Sequence, residues 1–280
     1  MAGNSALSET ATGAGPQAGG QPAIRLDHVS KYFFTKGKRI KAVDDVHLDI
    51  PSGAFISLVG PSGSGKTTLF NMIAGFTQPE RGAVYHHGRK ILGPNIGIGY
   101  MTQKDALMPW RNVLANVMLP LQLQHVPDRE ARSRARDMIE RVGLGGFAQH
   151  LPHELSGGML KRAALARTLV FSPETLLMDE PFGNVDLQLK LTLQRELLSL
   201  WESERKTVVF VTHDLEEAIA LSDRVVVLSP RPGRIHTILE IDLPRPRDPV
   251  SIRFEPSFQA INRRMWDLSE QIRAEHGGEA

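Results

Sequence analysis

The sequence predicts an α/β protein with a mainly parallel sheet covered by helices, and three observations predict it. A continuous apolar run, Ala54-Phe55-Ile56-Ser57-Leu58-Val59, feeds a glycine-rich loop and then a helical stretch, as a strand buried on both faces would. After Pro173, short aliphatic runs alternate with helical periodicity, the pattern of strands joined by crossover helices. Between these regions, from about Lys104 to Phe171, the periodicity is mainly helical, which marks an inserted helical region.

In chain order, residues 1–22 are rich in Gly, Ala, Ser and Thr, and they lack the basic start and apolar core of a secretory signal. A disordered tail is expected there. β-rich runs follow at Ile24 to Tyr32 and Lys41 to Ile50, and Pro51-Ser52-Gly53 turns the chain into the buried strand. A helix is expected from Lys66 to Ala74 and a short β segment through Gly82 to Met101. In the insert, Val113, Leu114, Val117, Met118 and Leu121 keep helical spacing, as do Met138, Ile139 and Val142. Breaks fall at Pro109, Pro127 and Gly143 to Gly146. The charged run Asp128 to Asp137 interleaves acids with bases at helical spacing, so it reads as a solvated helix face instead of a nucleic-acid patch. Strands are then expected at Thr175 to Met178, Thr207 to Val211 and Arg224 to Leu228, with helices at Leu187 to Glu202 and Leu215 to Leu221. The Pro244 to Pro249 segment reads as an extended turn before an amphipathic helix near Phe258 to Ala274.

Composition narrows the function classes. At 280 residues, with 41% hydrophobic and 23% charged residues and a formal net charge of +2, the chain is an ordinary globular protein. Nothing demands a nucleic-acid partner. No apolar stretch approaches the roughly 18 to 20 residues that cross a bilayer, so a membrane role would come through another protein. The absence of cysteine excludes a disulfide framework and agrees with a reducing cytoplasm.

Three motifs carry chemistry. The first is Gly60-Pro61-Ser62-Gly63-Ser64-Gly65-Lys66-Thr67, followed by Thr68. Its glycines let backbone N–H groups approach phosphate oxygens, and the following helix points its positive end at the anion. In such a loop Lys66 reaches the β- and γ-phosphates of a nucleotide, and Thr67 offers its hydroxyl to Mg²⁺. The second is Asp179-Glu180 at the end of the aliphatic run Leu176-Leu177-Met178. There Asp179 can orient Mg²⁺ and Glu180 can polarise an attacking water. The third, Leu155-Ser156-Gly157-Gly158-Met159, begins a helix with Ser156 as a cap and presents backbone N–H groups as a second anion cradle.

In this order, and with His213, these motifs resemble the ATP-binding subunits of ABC transporters over about residues 24 to 242. The resemblance implies a P-loop NTPase fold: a RecA-like core of mainly parallel sheet, an antiparallel β subdomain and an inserted α-helical subdomain. It implies ATP hydrolysis with Mg²⁺ by a head-to-tail dimer, in which Ser156, Gly157 and Gly158 of one copy close over ATP held by the phosphate loop of the other. By the same resemblance Tyr32 stacks on adenine and Gln103 contacts Mg²⁺ or the attacking water and senses a transmembrane partner. His213 contacts the γ-phosphate, and Asp186 is retained in the turn Gly183-Asn184-Val185-Asp186 where Asn184 replaces a small residue. The expected catalytic set is Glu180, His213, Gln103 and Lys66, with Thr67, Gln103 and Asp179 at the metal.

Three segments look like the nitrate, sulfonate and taurine importer branch: Leu107 to Val113, the Gly157-Gly158-Met159 signature, and Leu228-Ser229-Pro230-Arg231-Pro232-Gly233-Arg234. The expected organisation is a tail at 1–22, an ATP-binding domain at 23–242 with its helical subdomain at about 104–172, and a C-terminal extension at 243–280. The expected partners are a second copy, transmembrane permease subunits and, indirectly, a substrate-binding protein, on the cytoplasmic face of the inner membrane. A non-transport ABC ATPase acting on nucleic acid or ribosomes is the competing class, and it predicts a long coiled-coil insert or a strongly basic face. A transporter of lipids or pyrimidine precursors is the competing cargo reading.

Overall fold

The computed structural model describes residues 21–35, 37–103, 107–183 and 185–276. The tail expected at 1–22 lies outside them except for Gln21 and Pro22, and Asn184 lies outside them too.

Among the described residues the strands form two sheets. The antiparallel one runs β2 (Lys38–Ile50), β1 (Ile24–Thr35), β4 (Arg81–His86), β5 (Arg89–Lys90). The second runs β10 (Ile235–Glu240), β9 (Arg224–Leu228), β3 (Phe55–Val59), β8 (Thr207–Val211), β7 (Thr175–Asp179), β6 (Ile98–Met101). It is parallel from β9 to β6, and β10 closes its edge antiparallel to β9. Strands β3, β7 and β8 are buried at every residue, which is why their sequences run apolar without alternating.

The two faces of the sheet meet different partners. Phe55, Leu176, Met178, Val208 and Phe210 pack with α2 (Val113–Leu123), α3 (Asp128–Arg141), α4 (Gly157–Leu169) and α5 (Leu187–Glu204). Ile56, Leu58, Leu177, Val209 and Val226 pack with α1 (Lys66–Ile73) and with β1 and β2. Helix α3 buries Ala131, Ala135, Met138 and Ile139 and pairs Arg132 with Asp128 and Arg134 with Glu130 at its surface, so the charged run is a solvated face. In α2, the buried Asn116 amide donates to the carbonyls of Met108, Arg111 and Asn112 and accepts from the Met108 N–H at 2.7 Å. This fixes the Leu107 to Asn112 segment ahead of the helix and leaves Trp110 74% exposed.

A third cluster joins α6 (Leu215–Leu221) to α7 (Pro256–His276): Ala218, Ile219, Val225 and Val227 pack with Phe258, Met265 and Ile272. Arg247 is buried beside them and donates to the carbonyls of Ile219, Ser222, Ile241 and Leu243. Burial depresses its guanidinium to about 10, so it still carries its charge at neutral pH.

The parallel arrangement decides where chemistry collects. The carboxyl ends of β3, β6, β7, β8 and β9 lead into Gly60, Gln103, Glu180, His213 and Arg231 respectively. A crevice at the carboxyl ends of parallel strands is the usual ligand position in such sheets.

Candidate functional site

The phosphate loop is shaped by three glycines at positive φ: Gly60 (156°), Gly63 (80°) and Gly65 (88°). At Gly65, which precedes α1, a Cβ would come within 2.7 Å of the Val43 side chain, so the close approach and the left-handed turn both need glycine. The first turn of α1 carries no acidic residue, which leaves its N-terminal N–H groups free to attract an anion. Lys66 rests on neutral acceptors, donating to the carbonyls of Gly60 at 2.8 Å and Pro61 at 3.0 Å. Burial lowers its pKa, opposed by Glu180 and Asp179. Ser64 is fully buried, and its N–H donates to the Pro61 carbonyl at 3.2 Å, so its bonds are spent inside the loop.

Asp179 ends β7 beneath this loop and accepts a hydrogen bond from the Thr67 hydroxyl at 3.2 Å. Burial raises its pKa, against the Thr67 bond. A hydroxyl and a carboxylate side by side in a shielded cleft are hard oxygen donors of the kind that suits Mg²⁺, and the carboxylate gains from a cation. The next residue, Glu180, is held at φ 48°, a left-handed conformation that costs about 1 kcal/mol for a side chain of this type. The strained turn aims its carboxylate between two partners. Gln103 donates to Glu180 Oε2 at 2.9 Å, and His213 Nδ1 lies 3.6 Å from Oε1. Lys161 of α4 holds the Gln103 carbonyl at 3.1 Å, which ties this corner to the helical insert.

A cleft of about 520 Å³ opens over these groups, and Lys66, Thr67, Gln103, Asp179 and Glu180 line it. Phe33, Ile40 and Ala42 add an apolar part to its lining. Phe33 and Ile40 are cross-strand partners on β1 and β2. The expected aromatic, Tyr32, is not among the lining residues. Neighbouring residues of a strand face opposite sides. The Tyr32 ring accordingly lies under the Arg39 guanidinium at 3.8 Å, with Lys41 at 5.3 Å. The aromatic that lines the cleft is Phe33, one residue on from Tyr32.

The second cradle lies elsewhere. Ser156 caps α4 by accepting from the Met159 N–H at 3.4 Å, and Gly157 has open space where a Cβ would be. Gly158 is closely packed instead, since a Cβ there would lie 1.8 Å from the Leu189 side chain. Leu189 in turn donates its N–H to Asp186, the cap of α5, at 3.0 Å. None of Ser156, Gly157, Gly158 and Asp186 lines the cleft around Lys66. Sequence reasoning also missed Ile40, Ala42 and Arg231 as lining residues; of these, Arg231 belonged to a segment noted for its motif alone.

Comparison with known proteins supports the same reading. Residues 43–183 match the ABC transporter family model. The chain is 41% identical over 256 residues to the taurine import ATP-binding protein TauB of Rhizobium johnstonii, covering 90% of this chain and 95% of that one. It is 38% identical over 248 residues to the aliphatic sulfonates import ATP-binding protein SsuB of Bacillus cereus, covering 89% and 96%. Among solved structures, the dimeric post-hydrolysis state of the ATP-binding cassette MJ0796, bound to ADP and Pi, superposes with a TM-score of 0.72 at 32% identity, over 79% of this chain and 99% of that one.

Proposed function

This chain belongs to the ABC transporter family as an ATP-binding and ATP-hydrolysing cassette, and on that premise we propose that it is the ATPase subunit of an importer for sulfonates, taurine or nitrate. The observation that carries the coupling mechanism is the separation of the two phosphate cradles. Lys66 and its loop sit in the cleft, while Ser156 to Gly158 do not reach it within one chain. A second copy placed head to tail supplies them, and ATP is the contact that the empty pair lacks.

Within each site, Thr67 and Asp179 would hold Mg²⁺, which when bound neutralises charge on the phosphates. Glu180 accepts the proton of the attacking water, positioned by the Gln103 amide, and His213 faces the γ-phosphate from the end of β8. Gln103 also touches the helical insert through Lys161, so a push on the insert reaches the hydrolytic corner. Exposed Trp110, on the segment pinned by Asn116, supports a permease-receiving groove on this insert. Among the described residues no helix is long and apolar enough to cross a membrane, so the membrane-spanning part is assigned to the permease.

The branch is tested by co-purifying the chain with its permease and adding candidate anions with their binding protein. A sulfonate, taurine or nitrate should stimulate ATP hydrolysis; no stimulation by any of them removes the cargo assignment and leaves the cassette reading intact. The adenine contact has its own test. Phe33→Ala should weaken ATP binding by about 1–3 kcal/mol, the scale of a base stacked on an aromatic ring, whereas Tyr32→Ala should leave it near wild type in a fluorescent-nucleotide titration. The reverse order would return adenine to Tyr32.

A further inference from the structure

The segment Ser229 to Arg234 leaves β9 and folds back over the phosphate loop. The Gly233 N–H donates to the Ala42 carbonyl at 3.0 Å, and the Asp44 N–H donates to the Gly233 carbonyl at 2.9 Å. Arg234 reaches over to the Asp44 carboxylate and locks the segment to β2. The packing is close enough that a Cβ on Gly233 would lie 1.9 Å from the Ser64 carbonyl. The segment is therefore part of the loop's wall, and it carries Arg231 into the lining of the cleft.

Arg231 differs from the other cations nearby. Arg234 is paired with Asp44, and Lys66 rests on carbonyls, but Arg231 makes no hydrogen bond or ion pair among the described residues. One of its terminal nitrogens lies 3.3 Å from where a Cβ on Gly63 would stand. An unpaired guanidinium against the middle of a phosphate loop is matched in charge and fork geometry to phosphate oxygens.

Sheet order says which phosphates. Strand β9 lies on one side of β3, whereas β8, β7 and β6 follow on the other and bring His213, Glu180 and Gln103. Arg231 thus enters from the side opposite the hydrolytic corner, on a segment bonded through Gly233 to Ala42, which also lines the cleft. Resting on the proposed nucleotide site, we infer that Arg231 is a further nucleotide-binding residue that holds the α,β-diphosphate, the part common to ATP and ADP.

The test titrates full-length Arg231→Ala, Arg231→Lys and Lys66→Ala with ADP and with a non-hydrolysable ATP analogue, and compares thermal unfolding, which this exposed side chain should barely change. Arg231→Ala should weaken both nucleotides by the same factor, roughly ten- to a hundredfold for a lost charge-assisted contact. Arg231→Lys should recover part of it, because an ammonium keeps the charge and loses the fork. Wild-type ADP affinity in Arg231→Ala, with Lys66→Ala impaired, overturns the inference alone. A loss confined to the ATP analogue also overturns it, by placing the contact on the γ-phosphate, and so does unchanged binding with impaired ATP-dependent pairing, which would make Arg231 a contact to the second copy. If Lys66→Ala binds both nucleotides normally, the nucleotide site itself has been misplaced.

Discussion

Glu180→Gln should bind ATP and hydrolyse it about 10²–10⁴-fold more slowly, the range by which a positioned general base accelerates a reaction. It should also elute from a sizing column as a dimer when ATP is present. The amide keeps the length of the side chain and can still meet the Gln103 amide and the His213 ring, which flank Glu180 at 2.9 and 3.6 Å. What it loses is the capacity to take a proton from water. It also removes one negative charge beside the buried Asp179, easing the approach of the polyphosphate. Binding energy then closes the pair while the step that would reopen it is blocked. A variant that stays monomeric with saturating ATP would rule out the sandwich model, and one that hydrolyses at the wild-type rate would remove Glu180 from the role of base.

Lys66→Ala should lose most nucleotide affinity, with the dissociation constant for ATP rising at least roughly tenfold from the loss of charge-assisted bonds worth about 1.5–3 kcal/mol. The folded structure should survive, because Lys66 lines an open cleft and its ammonium donates to the Gly60 and Pro61 carbonyls, where water can replace it. A fluorescent-nucleotide titration beside a thermal melt separates the two effects. Unaltered ATP affinity in a folded variant would contradict the assignment of the loop.

Legibility followed burial. Strands β8 and β9 and helix α6 stand at the limits expected from sequence, because runs such as Thr207 to Val211 are enclosed on both faces and have no competing reading. Strand β10 is not legible in the sequence: it is an edge strand with partly exposed residues, and it begins one residue after the proline-containing Ser229 to Gly233 turn. At the site, the phosphate loop and the Asp179-Glu180 pair stand out because each sits at the end of an aliphatic strand visible in the sequence, whereas Gln103 and His213 are legible only through the family resemblance. The choice between Tyr32 and Phe33 is hidden for a different reason. Two adjacent aromatics share every local property except the face they occupy, and that face is fixed by the pairing of Phe33 with Ile40 across β1 and β2, a long-range fact. Arg231 is of the same kind, since only the return of its segment over Ser64 brings it to the cleft.

Arg247 and α7 bear on how the chain can be divided. A cut after Asp242 follows the limit of the sequence resemblance, yet it would remove Phe258, Met265, Ile272 and the guanidinium together. Ala218 and Ile219 would face water, and the carbonyls of Ile219 and Ser222 would lose their donor. Helix α6 begins two residues after His213, so the damage falls on the element that fixes the histidine. Residues 243–276 are therefore not a detachable appendage, and a shortened cassette would be a poor surrogate for the enzyme.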